Sequence, residues 1–370
     1  MTVTSAAADV VETLLAQFNE GKKAALARVV SVVENRRSGA DRLLAALHPR
    51  LGHAQRIGVT GPPGAGKSTL TTELAGAYRA AGLTVGIVAV DPTSPFTGGA
   101  LLGDRIRMEA IALDPGIFIR SMATRGSLGG LASSTRDVTD VLDAFGFDRV
   151  IIETVGVGQT ELDVSRTADT TMVVLVPESG DSIQTLKAGL MEIADIFIVN
   201  KSDRPGADRL RNELELMLGM RGGETLKNVP AHHGVDLGRA MTRAEKLAMN
   251  PAKAAREAAN AEQSERWTPP VLRTVAAKSE GTADVVAALD RHASYLIEAG
   301  VLASRRRKRL TERVVEIAER TVQKRLWGDA GTSQWLNDRI ADLESGRTNP
   351  FTVAHELVAR SGDVMTGRNP

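Results

Sequence analysis

The chain has 370 residues, room for one large domain with helical additions or for two modest ones. Its 46 basic and 45 acidic residues leave a net charge of +1, so bulk charge gives no argument for nucleic acid or a membrane as a partner. There is no cysteine, which excludes disulfides, thiolate metal sites and a cysteine nucleophile.

In chain order, residues 8–48 come first, with Leu14, Leu15, Phe18, Ala25, Val29, Val32 and Val33 recurring at helical spacing. The opening residues are amphipathic, with early acids, and do not read as a signal peptide. Apolar runs such as 172–177 are too short to cross a bilayer, so a cytoplasmic protein is expected. From about residue 55 the pattern changes. Strands are predicted at 56–60, 84–91, 116–121, 149–154, 170–176, 195–200 and 271–276, separated by helical segments. Unbroken apolar strands alternating with helices predict an α/β fold with a mostly parallel sheet covered on both faces. Residues 222–268 are polar and alanine-rich and read as an insertion. Beyond 300 the pattern is helical again, with Leu310, Val314, Ile317, Val322 and Leu326 on one stripe and SRRRKR (304–309) on the wet side. Three parts are expected: helices over 1–54, the sheet domain over 55–299, and a helical arm over 300–370.

Residues 61–69 read GPPGAGKST, between a strand and a helix, and match Gly-x-x-x-x-Gly-Lys-Ser. This is the loop of a P-loop nucleotide hydrolase. Gly61, Gly64 and Gly66 let the backbone approach phosphate oxygens, with Pro62, Pro63 and Ala65 completing the loop. Lys67 is expected on the β- and γ-phosphates, the Ser68 hydroxyl on Mg²⁺, and Thr69 near the α-phosphate. A glycine turn beside a surface lysine is the plainer reading, but strand and helix both stand where the motif needs them.

NKSD (200–203) follows a strand directly. Guanine offers N1–H and N2–H₂ on one edge, and the Asp203 carboxylate accepts from both. Asn200 is expected at the other edge and the Lys201 stem over the face. Adenine lacks that donor pair, so the motif selects GTP over ATP. Strand ends often carry Asn, Asp and Lys for turn reasons, so the pairing with the phosphate loop carries the argument. The segment TVAAKSEG (274–281) is expected to supply a backbone N–H to guanine O6 from Val275, Ala276 or Ala277, with Ala276 central.

Three acids could serve metal or water: Asp91 at a strand end, Asp104 in LLGDRIRM, and Glu153 at another strand end. Turn capping is the plainer role for Glu153, and helix N-capping for Asp104. Gly156 is expected to sense the terminal phosphate. Val157 stands where Ras-like GTPases carry the glutamine that orients water. Gln159 lies two residues further on, and Lys187 and Asp181 lie in a glycine-containing stretch after the fifth strand. The expected catalytic set is therefore Lys67, Asp91, Glu153, Gly156 and Lys187, with Ser68, Asp91, Asp104 and Glu153 toward the metal. No residue in this set is an evident general base, so hydrolysis is expected to be slow without a partner.

At this point the sequence resembles a family, the methylmalonyl-CoA mutase-associated GTPases of the MeaB type. The resemblance rests on VENRR (33–37), GPPGAGKSTL, VAVDPTSPFTGGALLGDRIRM (88–108), RSMATRG (120–126), ETVGVGQTE (153–161), GDSIQTLKAGLMEIADIFIVNKSD (180–203) and WTPPV (267–271). It implies a fold close to the signal-recognition-particle and metallochaperone branch of P-loop GTPases. It implies a homodimer built through the C-terminal arm. It also implies a GTP-hydrolysing chaperone that gates adenosylcobalamin loading, protection and repair of an acyl-CoA mutase. VAAKSEG and PESGD (177–181) depart from the usual patterns, and the 222–268 stretch is long. Two other readings stand beside this one. A metal-delivery GTPase would usually display Cys and His ligands, and here only His232 and His233 are adjacent. A small-molecule kinase would make NKSD accidental.

Overall fold

The computed structural model describes residues 3–92, 108–124, 130–154, 160–179, 189–221 and 267–362. Seven strands form one sheet: β1 (Gln55–Thr60), β2 (Val85–Pro92), β3 (Ile117–Thr124), β4 (Arg149–Thr154), β5 (Thr170–Leu175), β6 (Ile196–Val199) and β7 (Val271–Arg273). Their order is β3-β2-β4-β1-β5-β6-β7, and every pairing is parallel. β1 sits at the centre, beside β4 on one side and β5 on the other. Each predicted strand is present, with one instructive difference. The run 271–276 stops pairing at Arg273. The chain then folds back through Ala276–Lys278, a single 3₁₀ turn closed by a bridge between Val275 and Glu280.

Because successive strand residues point to opposite faces, one apolar run feeds two cores. On β4, Val150 and Ile152 enter one core while Ile151 enters the other. On the first face lie α1 (Val3–Asn19), α2 (Lys23–Glu34), α3 (Ala40–Leu47) and α4 (Gly130–Phe145). There Phe18, Leu26, Val29, Val30 and Leu43 pack with Val138, Val141 and Leu142. The N-terminal helices therefore share a core with the sheet. α2 also covers the edge strand: Lys23 Nζ donates to the Ile117 carbonyl at 3.3 Å, and Arg120 pairs with Glu34. An edge strand left bare would be a template for pairing with other chains.

On the second face, α5 (Lys67–Ala80) and α6 (Thr282–Glu298) pack Leu70, Leu74, Val285 and Leu289 against Ile57, Val59 and Ile151. Toward the other edge, α7 (Ala207–Arg221) packs Leu210 and Leu214 on Val173, Leu175 and Phe197. A buried ionic knot ties the start of β1 to α4. Arg56 Nη2 lies 2.8 Å from both Asp140 and Asp143, one helical turn apart. Asp143 also accepts from the backbone N–H groups of Gly52, His53 and Ala54 at 3.0, 3.1 and 2.9 Å. Burial alone would push the Asp143 carboxyl up, but Arg56 and these N–H donors hold it below its ordinary value.

The chain divides into two compact units, Met1–Ala299 and Gly300–Pro370. The second unit holds α8 (Val301–Gly328), α9 (Ala330–Glu344) and α10 (Pro350–Arg360). Asp329 caps α9 by accepting from Thr332 N at 2.8 Å, and Asn349 caps α10 by accepting from Phe351 N and Thr352 N. Val353 and Leu357 of α10 are buried. On α8, by contrast, Leu310, Val314, Val315, Val322 and Trp327 are exposed. The predicted insertion over 222–268 lies outside the described residues except at its end.

Candidate nucleotide site

In open parallel sheets, ligands bind at the carboxyl ends of the strands, where the chain leaves in opposite directions on either side of a strand. Here that strand is β1, and it leads into residues 61–66. The loop must pass close to β5. A Cβ at Gly61, whose φ is 136°, would fall 2.0 Å from the Val174 carbonyl oxygen. At Gly66, with φ 85°, a Cβ would meet the Asn200 amide nitrogen at 2.4 Å. Any larger side chain at either place would push the loop off its supports. Gly66 precedes the first turn of α5, whose N–H groups lack intrahelical partners and suit an anion.

Lys67 is buried, and its Nζ donates to the carbonyls of Gly61 and Pro62 at 2.8 and 2.9 Å. The ammonium is thereby folded over the loop it belongs to. Ser68 is also buried and donates through Oγ to Glu153 Oε1 at 2.6 Å. Glu153 is the penultimate residue of β4, beside β1 and in register with Val59. Two residues chosen from the sequence as metal donors, 85 positions apart, thus stand in direct contact. A hydroxyl and a carboxylate are both hard oxygen donors, the type Mg²⁺ prefers. The chemistry of this pair therefore fits that ion.

The second loop cluster follows β6 and β7. Asn200 is 2 % exposed and does more than its sequence reading suggested. Its Nδ2 donates to the Ala65 carbonyl at 2.8 Å, and its Oδ1 accepts from Thr274 Oγ1 at 3.0 Å and Ala276 N at 3.1 Å. Lys201, with φ 54°, donates from Nζ to the Gly64 carbonyl at 2.8 Å. Asp203 lies 3.3 Å from Lys278 Nζ, and both are substantially exposed. The turn over 274–280 thus lies beside NKSD. Two of its three nominated N–H groups are already engaged: Val275 N donates to Glu280 O, and Ala276 N to Asn200. The expectation that Ala276 serves as the central donor is displaced by Asn200, and Ala277 is the remaining candidate.

Other expected site residues have a different standing. Asp91 is the penultimate residue of β2, in register with Ala123, and only its backbone is described. Asp104, Gly156, Val157, Gln159, Asp181 and Lys187 lie outside the described residues. Sequence reasoning missed Thr274 and Lys278, because their partners are 74 and 75 positions away and no local spacing announces them.

Comparison with known proteins fits this geometry. A family model described as "Methylmalonyl Co-A mutase-associated GTPase MeaB" matches residues 26–331. The chain belongs to the MeaB family. It is a P-loop GTPase, and that family implies guanine-nucleotide binding. A relative from Pyrococcus horikoshii, itself named as a GTPase, is 42 % identical over 344 residues, covering 93 % of this chain and 96 % of its own. The Caenorhabditis elegans protein named as the mitochondrial methylmalonic aciduria type A homolog is 36 % identical over 208 residues, covering 52 % of each chain. Among solved structures, a "LAO/AO transport system kinase" superposes with a TM-score of 0.60 at 24 % identity, covering 95 % of this MeaB-family chain and 97 % of its own. That likeness shows the fold alone.

Proposed function

We propose that this GTPase is the chaperone of an adenosylcobalamin-dependent acyl-CoA mutase, using GTP hydrolysis to gate cofactor loading, protection and repair. The observation that carries the reading is the mutase-associated family match across 26–331, supported by the name of the Caenorhabditis elegans relative. Phosphoryl transfer asks a protein mainly for positioning and charge neutralisation. Loop residues 61–69 cradle the triphosphate, and Lys67 exchanges two loop carbonyls for β- and γ-phosphate oxygens. Ser68 and Glu153 would hold Mg²⁺, with Asp91 and Asp104 as further candidates. The ion supplies positive charge against the phosphates. Asp203 accepts from guanine N1–H and N2–H₂, and Ala277 N–H meets O6. Gly156 and Lys187 complete the proposed catalytic set.

Val157 stands in the place of the water-orienting glutamine of Ras-like GTPases, so turnover by the chain alone is slow. The test is phosphate release from GTP, with and without purified methylmalonyl-, isobutyryl- and 2-hydroxyisobutyryl-CoA mutases. One of the three is expected to raise the rate at least about tenfold, well inside what partner completion of a GTPase site achieves. No stimulation by any of them would overturn the proposal.

The proposal includes a homodimer formed through residues 300–370 of a cytoplasmic protein. Its support is the exposed apolar face of α8, since a row of Leu310, Val314 and Val322 left in water is costly. No helix among the described residues is long and apolar enough to cross a membrane. The double substitution Leu310→Glu and Val314→Glu in the full chain is expected to halve the mass measured by light scattering while leaving GTP binding intact. An unchanged mass would refute this assignment of the arm.

A further inference from the structure

The segment over 274–280 and the phosphate loop meet at one buried amide, that of Asn200, and three hydrogen bonds fix its orientation. Ala276 N–H is a donor only, so the Asn200 atom facing it is the carbonyl oxygen. The amide nitrogen then faces the Ala65 carbonyl at 2.8 Å, where it is the required partner. The oxygen keeps a second acceptor position, and Thr274 Oγ1 fills it at 3.0 Å. Thr274 is 1 % exposed, and water is excluded from its hydroxyl. Its backbone is fixed as well. Thr274 N donates to Val199 O at 2.9 Å and Ser202 N donates to Thr274 O at 3.0 Å. The hydroxyl therefore projects from a backbone clamped to Val199, just before NKSD, and to Ser202 within it.

We infer that Thr274 is a positioning residue for GTP, which sets the plane of the Asn200 amide and so fixes the distance between the base-reading and phosphate-holding loops. The inference rests on the reading of Asn200 and Asp203 as the base site. Without the Thr274 bond the amide keeps one bond at its oxygen and one at its nitrogen, and it can rock about the line that joins them. With two bonds to its oxygen and one from its nitrogen, the plane is held. Holding it before the nucleotide arrives lowers the ordering cost of binding. The Thr274 hydroxyl is spent on Asn200, so its effect falls on affinity and not on the chemical step.

The experiment compares Thr274→Val, Thr274→Ser and Asp203→Asn in the full chain. Thr274→Val keeps the shape and loses the donor, and is expected to raise Kd for GDP and KM for GTP about tenfold, roughly the worth of 1.4 kcal/mol. It should leave kcat within about twofold, as expected when only uniform binding is lost. Thr274→Ser restores the hydroxyl and should recover most of the affinity. Thr274→Ala carries the test if the valine variant fails to fold. Wild-type affinity in the valine or alanine variant overturns the inference, as does a serine variant that fails to recover. A drop in kcat with unchanged KM overturns it too. Asp203→Asn separates the two levels. It should weaken guanine binding about a hundredfold and shift preference toward xanthosine nucleotides, because the amide donates where the carboxylate accepted. Unchanged guanine selectivity there would remove the base-site reading itself. The xanthosine shift together with a silent Thr274→Val would remove the present inference alone.

Discussion

Replacing Lys67 by alanine is expected to lower GTP hydrolysis about 10²- to 10³-fold, the cost of deleting one preorganised charge at a developing anion. The ammonium is buried and already desolvated between the Gly61 and Pro62 carbonyls. On the proposed reading it would meet the γ-phosphate without shedding a water shell, and its charge would act at low dielectric. Lys67→Arg should not rescue. A planar fork with five donors cannot take the place of a compact ammonium held by two adjacent carbonyls. Phosphate release at saturating GTP, with GDP affinity measured in parallel, checks the expectation. Activity within about twofold of the parent would mean that the charge is not aimed at the reacting phosphate.

Arg56→Ala should be the most damaging change to stability away from the nucleotide, at about 3–5 kcal/mol, because it strands a buried carboxylate pair. Asp143 has no exposed side-chain surface, and Arg56 is the cation that pairs with both it and Asp140. The loss should depend on pH with a definite sign. Asp143 is held below its ordinary value in the folded protein, so its contribution is complete above the unfolded carboxylate range and fades as pH falls through the folded value. The gap between parent and variant in urea unfolding should be full near neutral pH and shrink below about pH 4. A gap that widened on acidification would contradict the arrangement. Asp143→Asn, which removes the charge but keeps a carbonyl oxygen for the His53 and Ala54 N–H groups, should cost less than Arg56→Ala.

What was legible in the sequence was whatever is local. Unbroken apolar runs such as RVIIET gave strands because both faces of the sheet are buried, and 149–154 is the observed span. Residues 61–69 and 200–203 could be read because each chemistry is contained in a few consecutive positions. The contacts that join these pieces could not. Asn200 meets Ala65 across 135 positions, and Lys278 meets Asp203 across 75. Only the strand order brings them together, and spacing carries no trace of it. The overlong β7 reading failed for a related reason. TVA is as β-prone as VLR, but Thr274 O is taken by Ser202 and Val275 N by Glu280, so the chain turns back instead of extending. The engagement of Ala276 N–H was hidden in the same way, since its partner is a side chain that arrives from β6.

The lysine of α2 that reaches the edge of β3 bears on how the molecule can be cut. A chain begun at residue 55 would lose Phe18, Leu26, Val29 and Leu43 from against α4, baring a contiguous oily surface. It would also uncover the Ile117 carbonyl and the unpaired side of an eight-residue strand. Such a fragment would keep every residue of the phosphate and base loops and still tend to precipitate by strand-to-strand growth. The opening helices thus act as a solubility guard for the sheet, and loss of activity on deleting them would report on self-association before it reported on catalysis.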